Sequence, residues 1–291
     1  MDKTKPVGVV GLGLLGMAIA RRLLAAGYAV AGYDLDAAKG AALTAQGGQA
    51  QSLAEIAAGC KRIVIAVFTA DQARQVIAAV AQAAAGTPRL LLCSTTCDAE
   101  TSRQLAAQGA QAGLAYIEAP ISGTSAQVMA GDGVGLIGGA AGVVARAQDL
   151  FAAICPRWFA VGPVGDAAKA KLAVNLILGL NRLALAEGLV FAERQGLDTK
   201  AFLEIARASA CYSQVMDTKG EKMRTRDFSP EGRAEQTLKD VHMMLAEGER
   251  LGQPLPMAQL HARILQACIA QGEGAQDSSV VIEELRRRGL P

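Results

Sequence analysis

Aromatic residues make up only 4% of this 291-residue chain, which holds one tryptophan and two histidines. The histidines, His242 and His261, stand far apart, and no two of the six cysteines form a C-x-x-C pair. The usual zinc patterns are therefore missing, so no metal is expected. The cysteines read as small core residues of a reduced, intracellular chain, expected in the cytoplasm. Net charge is +2, with no basic field suited to nucleic acid and no acidic tail. No internal repeat or low-complexity stretch is evident. The apolar N-terminal run Val7 to Ala20, behind Lys3 and Lys5, is too short to span a bilayer. Gly11, Gly13 and Gly16 interrupt it, which argues against a secretory signal and a membrane partner. What is present suits a soluble protein with a large core: 51% hydrophobic and 19% charged residues.

The N-terminal run reads better as strand, turn and helix. Val7 to Val10 is a short apolar strand, and Gly11-Leu12-Gly13-Leu14-Leu15-Gly16 is a G-x-G-x-x-G turn. Met17 to Ala26 is a helix stopped by Gly27, and Tyr28 to Tyr33 is a second strand ending in Asp34. The glycines give a tight turn, close approach of backbone to a pyrophosphate, and close helix–strand packing. The helix N-terminus offers that anion free N–H groups and a positive dipole end. Asp34 lies 23 residues after Gly11, where an acid accepts hydrogen bonds from a ribose 2′-hydroxyl and repels a 2′-phosphate. No basic residue follows until Lys39, so NAD is expected over NADP.

Strand and helix then alternate. Ser52 to Glu55 is a capping box, and Ile63 to Phe68 has the continuous apolarity of a buried parallel strand. Asp71 is expected to cap a helix reaching Ala85. Leu90 to Cys93 is a strand followed by Ser94-Thr95-Thr96, and Asp98 opens a helix to Gly109. Ala115 to Ala119 and Val134 to Ile137 are further strands. This pattern predicts a doubly wound sheet with helices on both faces and ligands at the carboxyl ends of its strands. Phe68-Thr69, Ser94 to Thr96 and Pro120 to Gly123 occupy such ends.

After Gly162 to Gly165 only helices are expected. Asp166 to Gln195 contains no proline and is apolar on nearly every face, a helix of about 45 Å. Such a helix should be buried. One small helical domain would not cover it all, so a second chain should, giving a homodimer or homotetramer. Lys171 and Asn175, four residues apart, project from one face. Arg182 continues their stripe and is expected to pair with an acid such as Glu187, or with a partner chain. Shorter helices follow over Leu197 to Ala208, Glu231 to Leu251 and Met257 to Ala270, with a last one opened by Asp277. The expected architecture is α/β: a Rossmann-type doubly wound domain over 1–163 and an all-α substrate and dimerisation domain over 164–291. A long central helix joins them, with a cleft between. On the residues alone, Phe228 reads equally as core, Lys239-Asp240 as a solvated helix face, and Ser122-Gly123 as an ordinary turn.

Six landmarks together carry a resemblance: GLGLLGMAIA from Gly11, STT at 94–96, EAPISG at 118–123 with AGDGVGLIGG behind it, GxxxxxKLxxN at 165–175, KD at 239–240, and GAQDSS from Gly274. They resemble the β-hydroxyacid dehydrogenases, which include 3-hydroxyisobutyrate dehydrogenase and tartronate semialdehyde reductase and are related to 6-phosphogluconate dehydrogenase. The resemblance spans essentially the whole chain. It implies Lys171 as catalytic acid/base and Asn175 as a residue that holds substrate. It implies Ser122, Gly123 and Thr124 as the carboxylate-binding loop, Phe228 as a closing aromatic, and Lys239 as a second lysine near substrate and cofactor. Gly11 to Gly16, Asp34, Phe68, Thr69, Thr95 and Thr96 would contact NAD. Cys97 stands where proline is usual, Thr124 where the family has a second glycine, and Gly232 where a second aromatic is expected. All three bear on the substrate rather than the chemistry. The implied reaction is hydride transfer between NAD and a small 3-hydroxy acid such as 3-hydroxyisobutyrate, glycerate or threonate. The alternatives are reduction of an aldehyde acid (tartronate or succinic semialdehyde, glyoxylate) or of an imine. Imine reductases generally carry another residue at the Lys171 position and favour NADPH, so Lys171 and Asp34 count against that reading. Burial and nearby positive charge would bring a lysine amine toward the range useful for proton transfer.

Overall fold

The computed structural model describes residues 5–84, 87 and 89–288. The chain divides into two compact units, one ending at Lys171 and the other beginning at Leu172.

The first unit opens with β1 (Val7–Val10), α1 (Leu14–Ala25), β2 (Val30–Tyr33), α2 (Ala37–Thr44), β3 (Gln49–Ala50) and α3 (Leu53–Gly59). It continues with β4 (Arg62–Ile65), α4 (Ala70–Ala84), β5 (Leu90–Cys93), α5 (Ala99–Gln111) and β6 (Ala115–Glu118). It closes with β7 (Ile121–Ser122), α6 (Ser125–Ala130), β8 (Val134–Gly138), α7 (Ala141–Ala145), α8 (Gln148–Ile154) and β9 (Arg157–Gly162). Strand order is β3-β2-β1-β4-β5-β6-β8-β7, with β9 on β8. From β3 to β6 every pairing is parallel, and Val7 of β1 lies between Val30 of β2 and Arg62 of β4. The order therefore reverses at β1 and β4, the switch point where doubly wound sheets bind ligands. Beyond β6 the sheet turns mixed, with β8 antiparallel to β6 and β7.

Strand alternation builds a core on each face of the sheet. Val9, Val64, Leu92 and Ile117 pack with Ile19, Leu23 and Phe151 on one side. Val10, Ile63, Ile65 and Leu91 pack with Ile77, Val80 and Leu105 on the other. Ser52 and Glu55 form the capping box at α3, and Asp98 caps α5. At α4 the cap is Thr69 rather than Asp71: its Oγ1 accepts the Gln72 N–H, and the Gln72 side chain accepts from Phe68 and Thr69. The expected end of that helix, Ala85, lies outside the described residues.

The long helix is α9 (Asp166–Arg194), and α10 (Thr199–Ala208), α11 (Val215–Thr225), α12 (Ala234–Arg250), α13 (Pro256–Ala270) and α14 (Val281–Arg288) follow it. By length and composition α9 could cross a membrane. It instead contributes Leu172, Leu183, Leu185 and Leu189 to a helical core with Leu203, Met223, Val241 and Leu265. Its own domain leaves part of α9 uncovered, as expected: Val174, Ile177, Leu178 and Phe191 are exposed, Ile177 by 61% and Phe191 by 66%. A single layer of helices covers only part of a cylinder. Cys211 is likewise exposed, whereas Cys60, Cys93, Cys97, Cys155 and Cys268 are buried as expected.

Candidate functional site

Sterics shape the glycine turn. Gly11 has φ +90°, and a Cβ there would strike the carbonyl of Ala66 at the end of β4. A Cβ on Gly16 would run into the carbonyl oxygen of Gly11, so α1 and the turn close only on glycine. Gly13 has nothing within 4 Å on its Cβ side and is the N-cap of α1 without a side-chain cap. A backbone open on one face, at a helix N-terminus not capped by a side chain, suits a dinucleotide pyrophosphate. Leu12 is buried and Leu15 packs on the core, so these two would offer backbone groups, while Leu14 and Phe68 are exposed.

Asp34 ends β2 with both oxygens engaged. Oδ2 accepts the Leu12 N–H at 2.7 Å, and Oδ1 accepts the Asp36 N–H at 3.0 Å and the Lys39 amine at 3.1 Å. Burial works to raise this carboxyl, but the two backbone N–H groups and Lys39 outweigh it and hold it below the usual carboxylate value. It is an anchored anion, which fits a ribose diol. Thr95 donates to the carbonyl of Val67 at 2.9 Å, tying the ends of β4 and β5. Thr96 is half-buried beside it. The buried Cys97 thiol donates to the Thr95 carbonyl and keeps the turn without the usual proline.

The EAPISG stretch and the start of α9 meet in the same unit. Glu118, buried at the end of β6, accepts the Gly165 N–H at 2.8 Å. Burial pushes its carboxyl up, opposed by that N–H and those of Ala168 and Ala167. Glu118 thus anchors the start of the helix that carries Lys171. Lys171 is 7% exposed, and its Nζ donates to the Ile121 carbonyl at 2.6 Å. The amine is thereby placed beside Ser122 and Gly123, where Gly123 has φ +138°. Thr124 is committed locally, as the cap of α6 in a capping box with Gln127. Lys169, by contrast, lies exposed and paired with Asp166.

The second unit groups three further residues. The Asn175 amide Nδ2 donates to Asp240 Oδ2 at 3.1 Å, and Lys239 Nζ lies 3.5 Å from Asp240 Oδ1. Asp240 is buried, so the KD pair is only half a solvated face. Asn175 Oδ1 is buried without a hydrogen-bond partner among the described residues, an acceptor open to a ligand hydroxyl. Phe228 packs against the helical core, and its carbonyl accepts the Asp277 N–H. Asp277 also takes Lys219 at 2.9 Å and the N–H groups of Glu231 and Gly232. Burial works to raise the Asp277 carboxyl, and Lys219 with the backbone donors holds it low. This buried hub fixes the segment from Phe228 to Gly232.

The roles of two residues escaped the sequence reading, and the expected partner of a third is corrected. Glu118 and Asp240 lie inside the motifs EAPISG and KD, and their signal was an acid in an apolar context. The third is Arg182, whose expected pairing with Glu187 is overturned. Five residues along a helix turn the side chain about 140° away, and Glu187 is exposed while Arg182 is buried beside His261.

Comparison with known proteins extends these observations. Residues 6–162 match the NAD binding domain of 6-phosphogluconate dehydrogenase, and residues 165–285 match the family described as NAD-binding of NADP-dependent 3-hydroxyisobutyrate dehydrogenase. The chain is 30% identical to 2-(hydroxymethyl)glutarate dehydrogenase of Eubacterium barkeri over 289 residues, 97% of this chain and 95% of that one. It is 28% identical to L-threonate dehydrogenase of Cupriavidus necator over 284 residues, 96% of each. Among solved structures, a 3-hydroxyisobutyrate dehydrogenase from Salmonella typhimurium superposes with a TM-score of 0.88 at 27% identity, covering 96% of this chain and 99% of the other.

Proposed function

Because the chain belongs to the β-hydroxyacid dehydrogenase family, we propose that it moves hydride between NAD and a small 3-hydroxy acid, with Lys171 as the general acid/base. That it is an oxidoreductase with an NAD-binding domain follows from the family. The observation that carries the finer reading is the buried Lys171 amine bonded to Ile121, beside the Ser122–Gly123 turn.

Gly11 to Gly16, Asp34 and the strand ends at Phe68-Thr69 and Thr95-Thr96 would hold the cofactor, whose nicotinamide supplies the hydride acceptor. Ser122 and Gly123 take the substrate carboxylate. Asn175, one turn beyond Lys171 on α9, offers its unpaired Oδ1 to a donor group of the substrate other than the reacting hydroxyl, whose single proton is left for Lys171, and Asp240 with Lys239 fixes the amide. Lys171 receives the hydroxyl proton in oxidation and returns it in reduction. Its ammonium also polarises the carbonyl in the reverse direction. The anchored Asp34 carboxylate supports NAD over NADP. The exposed face of α9 supports a homodimer or homotetramer: from Ala173 to Leu178 no charged side chain interrupts it, and a second copy presents the same face.

A second reading, reduction of an aldehyde acid, uses the same residues in reverse. A curated relative 28% identical over 285 residues is named glyoxylate/succinic semialdehyde reductase 1, of Arabidopsis thaliana. Likeness to imine reductases, at 17–19% identity, is one of fold. The test is a screen of 3-hydroxyisobutyrate, glycerate and threonate with NAD and NADP at alkaline pH, set against glyoxylate and succinic semialdehyde with the reduced cofactors. Oxidation of a 3-hydroxy acid supports the reading. Turnover of the aldehydes alone moves it to the second.

A further inference from the structure

Helix α9 begins without a local side chain to cap it. The residue before it is Gly165, and the carboxylate of its first residue, Asp166, is paired with Lys169. The first N–H groups of a helix have no partner within it. Here they turn to a carboxylate 47 residues earlier in the chain, with Glu118 accepting the Gly165 N–H at 2.8 Å. Glu118 is buried, and it also faces the N–H groups of Ala167 and Ala168 and the hydroxyl of Ser102, itself buried on α5. The opposite strand makes room for this carboxylate. Gly138 on β8 is the cross-strand partner of Glu118, and a Cβ there would lie 2.6 Å from Glu118 Oε2. The same Cβ would lie 3.1 Å from the Pro163 carbonyl oxygen and 3.2 Å from Ala167 Cβ. Any residue larger than glycine would therefore displace the carboxylate from the helix.

The stretch of chain that carries Glu118 also holds the lysine. Three residues on, the Ile121 carbonyl accepts Lys171 Nζ at 2.6 Å. Two bonds from one short segment thus fix α9, one at its N-terminus and one in its second turn. Ser102 adds a third tie, because α5 follows directly on the Ser94 to Thr96 turn assigned to the cofactor. Without the first bond the helix start is free to shift, and Lys171 shifts with it. A displacement of about 1 Å can cost roughly a hundredfold in rate. We propose that Glu118, seated in the space left by Gly138, is a positioning residue that holds Lys171 where proton transfer with the substrate requires it. The inference rests on the reading of Lys171 as acid/base.

The experiment follows Lys171 directly, by acetic anhydride labelling of the folded full chain and peptide mass spectrometry, with the exposed Lys169 as internal reference. Glu118→Ala removes the carboxylate, and Gly138→Ala displaces it without removing it. Both should raise the labelling of Lys171 relative to Lys169 roughly threefold or more, the scale of one hydrogen bond lost. Both should lower kcat roughly tenfold to a hundredfold on the hydroxy acid that wild type oxidises fastest, while the dissociation constant for NAD stays within about threefold. Ser52→Ala is the control for lost stability, since it removes the cap of a distant helix, α3. It should change neither labelling nor kcat. Unchanged labelling in both site variants overturns the inference. So does an equal rise in Ser52→Ala, an unchanged kcat beside raised labelling, or a parallel loss of NAD affinity. If the site variants do not fold, Ser102→Ala decides: it removes only a hydroxyl and should raise the labelling ratio about twofold, and an unchanged ratio overturns the inference. A Lys171→Ala enzyme that keeps near the wild-type rate is a different failure: it removes the acid/base reading, whatever the labelling shows.

Discussion

The Lys171 amine lies 2.6 Å from the carbonyl oxygen of Ile121, a bond that ties the second turn of α9 to the strand ending at Ser122. Glu118 secures the same helix from its first residues, through the Gly165 N–H. Strand end and helix start are thus locked from two sides, and a flexible lysine is held in one place. Fixing such a side chain costs about 2 kcal/mol of rotamer freedom, a cost that a purely solubilising lysine such as Lys169 does not meet.

The pairing of Asn175 with Asp240 predicts a substrate effect without a cofactor effect. Asp240→Ala frees the amide to rotate, and KM for the hydroxy acid should rise roughly tenfold, with one charge-assisted bond lost. Asp240→Asn should recover part of that. The dissociation constant for NAD, measured by fluorescence, should not move. A parallel loss of NAD affinity would contradict the assignment.

Cofactor choice should turn on Asp34. Asp34→Ser removes the anion that faces the ribose and frees Lys39 from its ion pair. Catalytic efficiency with NAD should fall by roughly tenfold to a hundredfold, one or two charge-assisted bonds, while efficiency with NADP rises. Equal efficiency with both cofactors in the wild type would defeat the NAD preference.

His261 predicts a pH dependence of stability. Its folded value of about 3 lies below the unfolded 6.5, so the unfolded chain binds the extra proton. The stability from this site is complete above pH 6.5 and is lost as pH falls toward 3. At pH 5 the loss is about 2 kcal/mol relative to pH 7. Urea unfolding of wild type and His261→Gln at both pH values measures it: the variant should lose less on acidification. Equal losses would mean that the imidazole is not buried neutral.

The exposed stripe of α9 predicts assembly. Ile177→Asp places a charge at its most exposed aliphatic position before Phe191. Sedimentation should show a dimer or tetramer for wild type and smaller species for the variant. A monodisperse wild-type monomer would show that the stripe has no partner copy.

What was legible in the sequence is what local sterics and capping decide. Gly11 and Gly16 were readable because the clashes they avoid lie within the turn or on the adjacent strand. Ser52 and Asp98 were readable because a cap needs only the next three residues. The direction of β8 was not readable, since an apolar run of five residues looks alike in parallel and antiparallel pairing. Helix α11 was missed because Lys219 and Gly220 interrupt its apolar stripe. Lys219 is buried with its amine held by Asp277, 58 residues away, and by Glu231, and a Cβ on Gly220 would crowd Leu203. The buried acids Glu118 and Asp240 were hidden inside known motifs for the same reason: their partners are distant in sequence. For α9, all-round apolarity did not say which sector would meet the core.

The most direct measurement is turnover and NAD binding by Lys171→Ala, followed side by side. The account predicts NAD affinity within about threefold of wild type and a fall in kcat of at least a hundredfold, the share of general acid–base catalysis. A variant that oxidises the same 3-hydroxy acid at near the wild-type rate would contradict it.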